Sequence, residues 1–214
     1  MLNKIDHIAI GADSLEQGES FVKSRLGVEI PRGSKHDAMS THNCVVQAGN
    51  ESFLEVIAID PEAPDPGRTR WFTLDDAATR ARLSVSPGAL CWVVGTDNLD
   101  AVLEASPIDL GPVVTFTRGK RSWRLTVPDD GSLPESGLIP AFIEWSPGPH
   151  PSSGMQNLAL TLQGVRLLHP EPEYIRAILH QLSIDHLATV ETANSSSLEF
   201  QFQSPLGAVS VDSR

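Results

Sequence analysis

One stretch of this chain occurs twice, and the repetition restricts the folds open to it. His7-Ile-Ala-Ile-Gly-Ala-Asp-Ser-Leu15 aligns without a gap on Cys91-Trp-Val-Val-Gly-Thr-Asp-Asn-Leu99, and Ser52-Phe-Leu-Glu55 aligns on Ala141-Phe-Ile-Glu144. Two landmarks in the same order imply one unit used twice, at a spacing of roughly 85–90 residues. Each copy opens with an apolar strand that runs into a helix start. Each closes on an apolar strand that carries a carboxylate, and a buried carboxylate needs a partner.

The elements between these landmarks follow one order. Ile5 to Gly11 alternates as a strand, with Ile8 and Ile10 on one face and His7 and Ala9 on the other. Ser14 is placed to cap a helix whose apolar stripe is Leu15, Phe21, Val22 and Leu26, closed by Gly27. A short strand at Val28 to Ile30, a polar turn region, and strands over Thr41 to Ala48 and Ser52 to Ile59 complete a βαβββ unit spanning 5–59. Residues 60–86, rich in Pro and Arg at first, read as a connector with a short helix around Leu74 to Leu83. The second unit spans 87–146, with strands expected over Ala89 to Thr96, Pro112 to Thr117, Ser122 to Val127 and Ile139 to Trp145. Residues 147–154 are a Pro/Gly/Ser linker by composition. Residues 155–214 read as an abbreviated βαββ unit without the repeated His and Glu. The fold class is therefore α+β, with paired βαβββ units in residues 1–146 forming one cupped mixed sheet and the short third unit packed on it.

Composition mainly excludes. The chain has 214 residues and a formal charge of 16 − 27 = −11, with no Lys/Arg cluster, which opposes nucleic acid or anionic membrane as a partner. No apolar run approaches the roughly 18 residues needed to span a bilayer. The N-terminus enters a strand pattern directly, so a cytoplasmic location is expected. Cys44 and Cys91 both sit in strand patterns, which argues against a disulfide framework. The nucleophile elbow, the phosphate-binding Gly-Lys-Ser/Thr loop, the dinucleotide fingerprint and the Cys-x-x-Cys pair are all missing from the sequence.

The tandem units, with His on the first strand and Glu on the last, resemble the vicinal oxygen chelate superfamily, which includes glyoxalase I, extradiol dioxygenases and fosfomycin-resistance proteins. The glyoxalase-like branch is the nearer likeness, through Asp6-His7-Ile8, Gly33-Ser-Lys-His36, Thr41-His42-Asn43 and Leu54-Glu55-Val56-Ile57. The resemblance implies that four positions meet around a divalent metal: His7, Glu55, Cys91 and Glu144. Imidazole and carboxylates suit zinc, manganese, nickel or iron. Cys91 departs from the pattern, since His or Gln is usual there and an un-ionised thiol does not bind metal. His36 or His42 could complete the set.

The first functional expectation is a metal-dependent isomerase or lyase acting on a small substrate with vicinal oxygens, with Glu144 as the base. His36, His42 and Asn43 are candidates for substrate contact at the rim, and Arg70 and Trp71 for a lid that grips an anionic group. The second expectation is a metal-free binding protein of the same fold. The partner is a small molecule in either case, and exchange of units between subunits would give a homodimer. Against these stand plainer readings: Glu55 and Glu144 salt-bridged to Arg68, Arg70, Arg118 or Arg121, and Cys91 as a small buried hydrophobe.

Overall fold

The structure is a computed structural model that describes residues 3–214; Met1 and Leu2, at the start of the expected 1–146 paired domain, lie outside them. Its first unit runs β1 (Lys4–Gly11), α1 (Leu15–Leu26), β2 (Arg32–His36), β3 (Thr41–Gln47) and β4 (Phe53–Ile59). After α2 (Ala77–Val85) the second unit repeats the order with β5 (Gly88–Gly95), α3 (Leu99–Ala105), β6 (Val113–Arg118), β7 (Arg121–Thr126) and β8 (Ala141–Trp145). All eight strands form one sheet in the order β2-β3-β4-β1-β5-β8-β7-β6. The order reads alike from either side of the antiparallel β1/β5 seam. In each unit the first strand lies parallel to the last, β1 on β4 and β5 on β8.

The helices form where local chemistry allows. The Ser14 hydroxyl accepts from the Gln17 backbone N–H at 3.2 Å, and the Gln17 side chain accepts from the Asp13 N–H at 2.9 Å, a reciprocal cap. Gly27 ends α1 in the left-handed region at φ 70°. Gly18 lets α1 press on the sheet, since a Cβ there would lie 2.3 Å from Val56.

The sheet separates two cores. On its helix-bearing side Ile8, Ile10, Val56, Trp92, Val94 and Phe142 meet Leu15, Val22, Leu99 and Val102. On the other side Ala9, Ile57, Cys91, Val93, Phe116, Trp123, Leu125 and Ile143 meet Trp71, Phe72 and Leu83. Side chains from β2 and β3 at one end and from β7 and β8 at the other line one pocket, so the sheet curls into a cup.

The third unit, β9 (Thr161–His169), α4 (Pro172–Gln181), β10 (Ala188–Thr192), β11 (Ser197–Ser204) and β12 (Gly207–Asp212), forms its own sheet in the order β10-β9-β11-β12. It packs on the helix-bearing side of β5. It has one strand more than the sequence reading contained. Strand β10 is a short edge strand with only Val190 buried, which leaves little alternation to read.

Three local expectations change. The strand after α1 is Arg32–His36, not Val28–Ile30: the polar segment pairs with β3 as the sheet edge, while Val28 and Ile30 fill the core below it. The 60–86 connector is a core element, because Trp71, Phe72, Leu74 and Leu83 close the cup's apolar core. The 147–154 segment is not a free linker. Its Pro151 lines the pocket, and His150 reaches back to β1.

Candidate active site in the cup

The polar end of the cup starts with an irregularity in β1. Ile5 pairs with Val94 and His7 with Val93, so Asp6 is an extra residue in a bulge. Bulges redirect side chains, and here Asp6 turns toward the cup end. Its carboxylate, 1% exposed, meets three ring nitrogens: His7 Nδ1 at 2.6 Å and His150 Nε2 at 2.9 Å, while the Trp145 indole N–H donates to it at 2.7 Å. Burial opposes its ionisation, yet the hydrogen bonds from His150 and His7 prevail and hold Asp6 well below the usual carboxylate range.

His7 is fixed by that bond and by stacking on Phe53, with ring centroids 4.5 Å apart. Burial lowers its basicity, but the bond to Asp6 and the charges of Asp6 and Glu55 raise its pKa above the ordinary imidazole value. Its Nε2 points across the cup floor to Glu55 Oε2 at 3.7 Å. Glu55, buried on β4, accepts from Asn43 Nδ2 at 2.6 Å through Oε1. The Asn43 carbonyl oxygen accepts from the Ser34 N–H at 2.7 Å, which fixes the orientation of the amide. Gly33 makes this approach possible, because a Cβ there would lie 2.2 Å from Asn43 Oδ1. His36 completes the group: its Nδ1 bonds Thr41 Oγ1 at 3.0 Å, and its Nε2 is 3.3 Å from Asn43 Nδ2 and 3.9 Å from Glu55 Oε1. Burial pushes its pKa down, so His36 is a neutral ring.

The remainder of the cup is aromatic. Phe53, Trp71, Phe72, Trp123 and Trp145 line a pocket with about 590 Å³ of atom-free space, its open mouth included. The Trp71 indole N–H is buried in the wall without a hydrogen-bond partner. Arg118 stands at the mouth with its guanidinium 5.7 Å from the Trp123 ring centroid.

Of the residues expected from sequence, the fold thus brings together His7, Glu55, His36, Asn43 and Trp71, with Cys91 on the same face of the sheet. Three others go elsewhere. Glu144 lies on the helix-bearing side: Phe142 faces α3 and Ile143 faces the cup, so Glu144 turns away from the cup. It accepts from Arg124 at 2.9 Å, and Arg124 also binds Asp100 on α3. The cause is register. Ala9 pairs with Glu55 and Val93 with Ala141, so Ala141, not Glu144, is the counterpart of Glu55. The two positions differ by an odd number of residues, which reverses the face. Glu144 is therefore neither placed as a ligand in the cup nor as its base. His42 also points away, 3.9 Å from Asp60 in a separate groove beside Glu16 and Arg32. Arg70 is bound within its own loop to Asp75 at 2.8 Å and does not line the cup. Cys91 is fully buried, and burial first, then the charge of Glu55, raises its pKa well above the ordinary thiol value. It is a neutral thiol, not a thiolate.

Sequence reasoning does not single out Trp145 or His150, and it names Asp6 only within a motif and Arg118 only as a salt-bridge partner. Asp6 was visible in the Asp-His-Ile run but gives no sign of a bulge. His150 stood in a segment whose composition reads as linker.

A cup made from two βαβββ units joined at their first strands, with His7 and Glu55 on its floor, defines the class. The sequence matches the family model described as a glyoxalase-like domain over residues 5–183, and the chain belongs to that family. Among solved structures, a hypothetical protein from Staphylococcus aureus is similar at 15% identity and TM-score 0.65, over 92% of this chain and 88% of that one. This likeness concerns the fold. Methylmalonyl-CoA epimerase from Streptomyces coelicolor, in complex with 2-nitronate-propionyl-CoA, aligns at 17% identity over 70% of this chain and 100% of that one. Its TM-score of 0.44 is too low to carry an inference. No curated protein matches the sequence. Among the described residues no helix is long and apolar enough to cross a membrane.

Proposed function

We propose that the protein is an isomerase- or lyase-type enzyme that moves a proton on a small substrate bearing a carbonyl beside a second oxygen. The observation that carries this reading is the pairing of Glu55 with His7 across the cup floor. Glu55 Oε1 is engaged by Asn43, which leaves Oε2, the atom facing His7, as the proton acceptor. His7 carries a proton stabilised by Asp6, and its Nε2–H can donate to the oxygen on which negative charge develops. Charge is thus met at the atom where it appears, between two side chains that are themselves buried. The Arg118 guanidinium at the mouth is free to orient a further oxygen of the substrate.

A divalent ion on the four family positions does not fit this donor set. Ala141 stands where the second carboxylate would be and supplies no ligand, and Cys91 is a fully buried neutral thiol that has to lose its proton before it can bind. Asn43 Nδ2 already occupies Glu55 Oε1 and approaches His36 Nε2, and an ion on His7 would have to displace the proton that Asp6 favours there. Among the described residues no group of three or more His, Cys, Asp or Glu side chains is arranged to hold an ion. The proposed proton transfer uses the side chains of Glu55 and His7 alone.

The test is exchange of substrate protons. A panel of small 2-oxo and 2-hydroxycarbonyl compounds, incubated with the protein in D2O and followed by proton NMR, should contain members whose α-proton is lost enzymatically. Glu55→Gln should abolish that exchange while the fold survives. The aromatic lining favours a second reading, a binding protein without chemistry. Quenching of the fluorescence of Trp71, Trp123 and Trp145 by a compound that never exchanges its proton would establish it in place of the enzyme.

A further inference from the structure

We propose that a second site, at the seam between the cup and the third unit, binds a tetrahedral oxyanion such as a phosphoryl group. A cavity there holds about 950 Å³ of atom-free space, its mouth included, and lies apart from the cup. Its wall is drawn from α2, the start of β5, the 128–137 loop and the third unit. The cation in it is Arg82. Its Nη1 is buried and makes no hydrogen bond, and among the described residues no carboxylate forms an ion pair with it. Arg82 is half-buried; burial lowers its pKa, and the charge of Asp212 opposes this without forming an ion pair. Gly88 lets the third unit's last strand approach here, since a Cβ would lie 2.8 Å from the Asp212 backbone oxygen and 3.0 Å from Arg82 Nη1.

The surrounding groups suit an oxyanion. Ser132, Ser136 and Ser196 are exposed at the wall, whereas the Thr73 hydroxyl donates to the Phe72 carbonyl and the Ser213 hydroxyl accepts from the Leu198 N–H. Asp76 is the one carboxylate in the wall, and it is committed to capping α2 through the Thr79 N–H at 2.8 Å. Donors spread around a guanidinium match four tetrahedral oxygens better than a planar carboxylate. Two wall residues also have left-handed backbones, Thr73 and Ser136, both at φ 57°, each next to another such residue, Phe72 and Glu135. Strain of this kind persists where the surroundings hold it, and ligand clamps are such places.

The experiment is thermal unfolding of the full chain in rising inorganic phosphate, against chloride at equal ionic strength, with glycerol 2-phosphate as a parallel arm. Ligand that binds only the native state raises Tm with its concentration. Phosphate should raise Tm where chloride does not; a phosphomonoester acting at lower concentration assigns the group to an esterified ligand, and equal action assigns it to the free anion. Arg82→Gln should weaken the apparent affinity at least tenfold. Ser196→Asp, a change at an exposed residue that adds a carboxylate to the wall of the same cavity, should weaken the response. Arg82→Met keeps the aliphatic stem and, in phosphate-free buffer, should leave Tm unchanged or raise it. Phosphate acting no better than chloride, a wild-type response in Arg82→Gln, or a marked loss of Tm in Arg82→Met without phosphate would each overturn the proposal.

Discussion

Replacing Asp6 by Asn withdraws the negative charge on which the polar end of the cup is built. The carboxylate accepts from Trp145 at 2.7 Å and bonds the rings of His7 at 2.6 Å and His150 at 2.9 Å, almost without water. An amide keeps one accepting oxygen and presents its NH2 to a group that is itself a donor. Breaking a buried charged network of this kind costs about 3–5 kcal/mol. At about 2–4 °C per kcal/mol for a chain of this size, Tm should fall by about 6–20 °C. The loss should depend on pH in a defined sense. Asp6, depressed in the native state, contributes stability above the ordinary carboxylate value that is lost as pH falls through its native pKa. His7, raised in the native state, contributes stability below the ordinary imidazole value that is lost as pH rises through its native pKa. The difference between wild type and Asp6→Asn should therefore be greatest between about pH 4 and 6.5 and narrow on either side. Thermal melts across pH, with NMR titration of the His7 ring, provide the assay. Equal melting at pH 5.5, or a His7 that titrates at the same pH in both proteins, would refute the reasoning.

Other consequences are simpler. Glu144→Gln should cost no more than about 1 kcal/mol, because it removes a partly exposed ion pair with Arg124, and should leave α-proton exchange intact; loss of exchange would return Glu144 to catalysis. Both thiols should resist a thiol-reactive probe until the protein unfolds, since Cys91 is fully buried and burial pushes Cys44 up to about 12. Rapid labelling of one equivalent in the native protein would contradict the neutral, enclosed Cys91 described above.

The parts of this molecule legible in the sequence are those whose signal is local. The alternation over Ile5 to Gly11 and its copy at Cys91 put His7 and Cys91 on one face, and the paired strands keep them there. The Ser14 cap and Gly27 stop of α1 were readable because capping chemistry lies within a turn of the residues that need it. Glu55 was legible as a carboxylate inside an apolar strand. Glu144 shows the limit. Matching Phe-Ile-Glu on Phe-Leu-Glu is a likeness of letters, whereas the face of a residue is decided by pairing with a distant strand. Strand β2 was hidden for the opposite reason: an edge strand with a solvated face can be as polar as Arg-Gly-Ser-Lys-His. Trp71, expected in a lid, does line the cup, whereas His150 joins the site only when an irregular segment folds back over it, and nothing periodic announces that.

The account rests on a cup whose proton chemistry belongs to Glu55 and His7 and not to an ion. The most direct measurement is elemental analysis of the protein purified without chelator, paired with α-proton exchange before and after EDTA treatment. The account predicts no stoichiometric divalent metal and exchange that EDTA leaves unchanged. One metal ion per chain, with exchange lost in EDTA and restored by zinc or manganese, would contradict it.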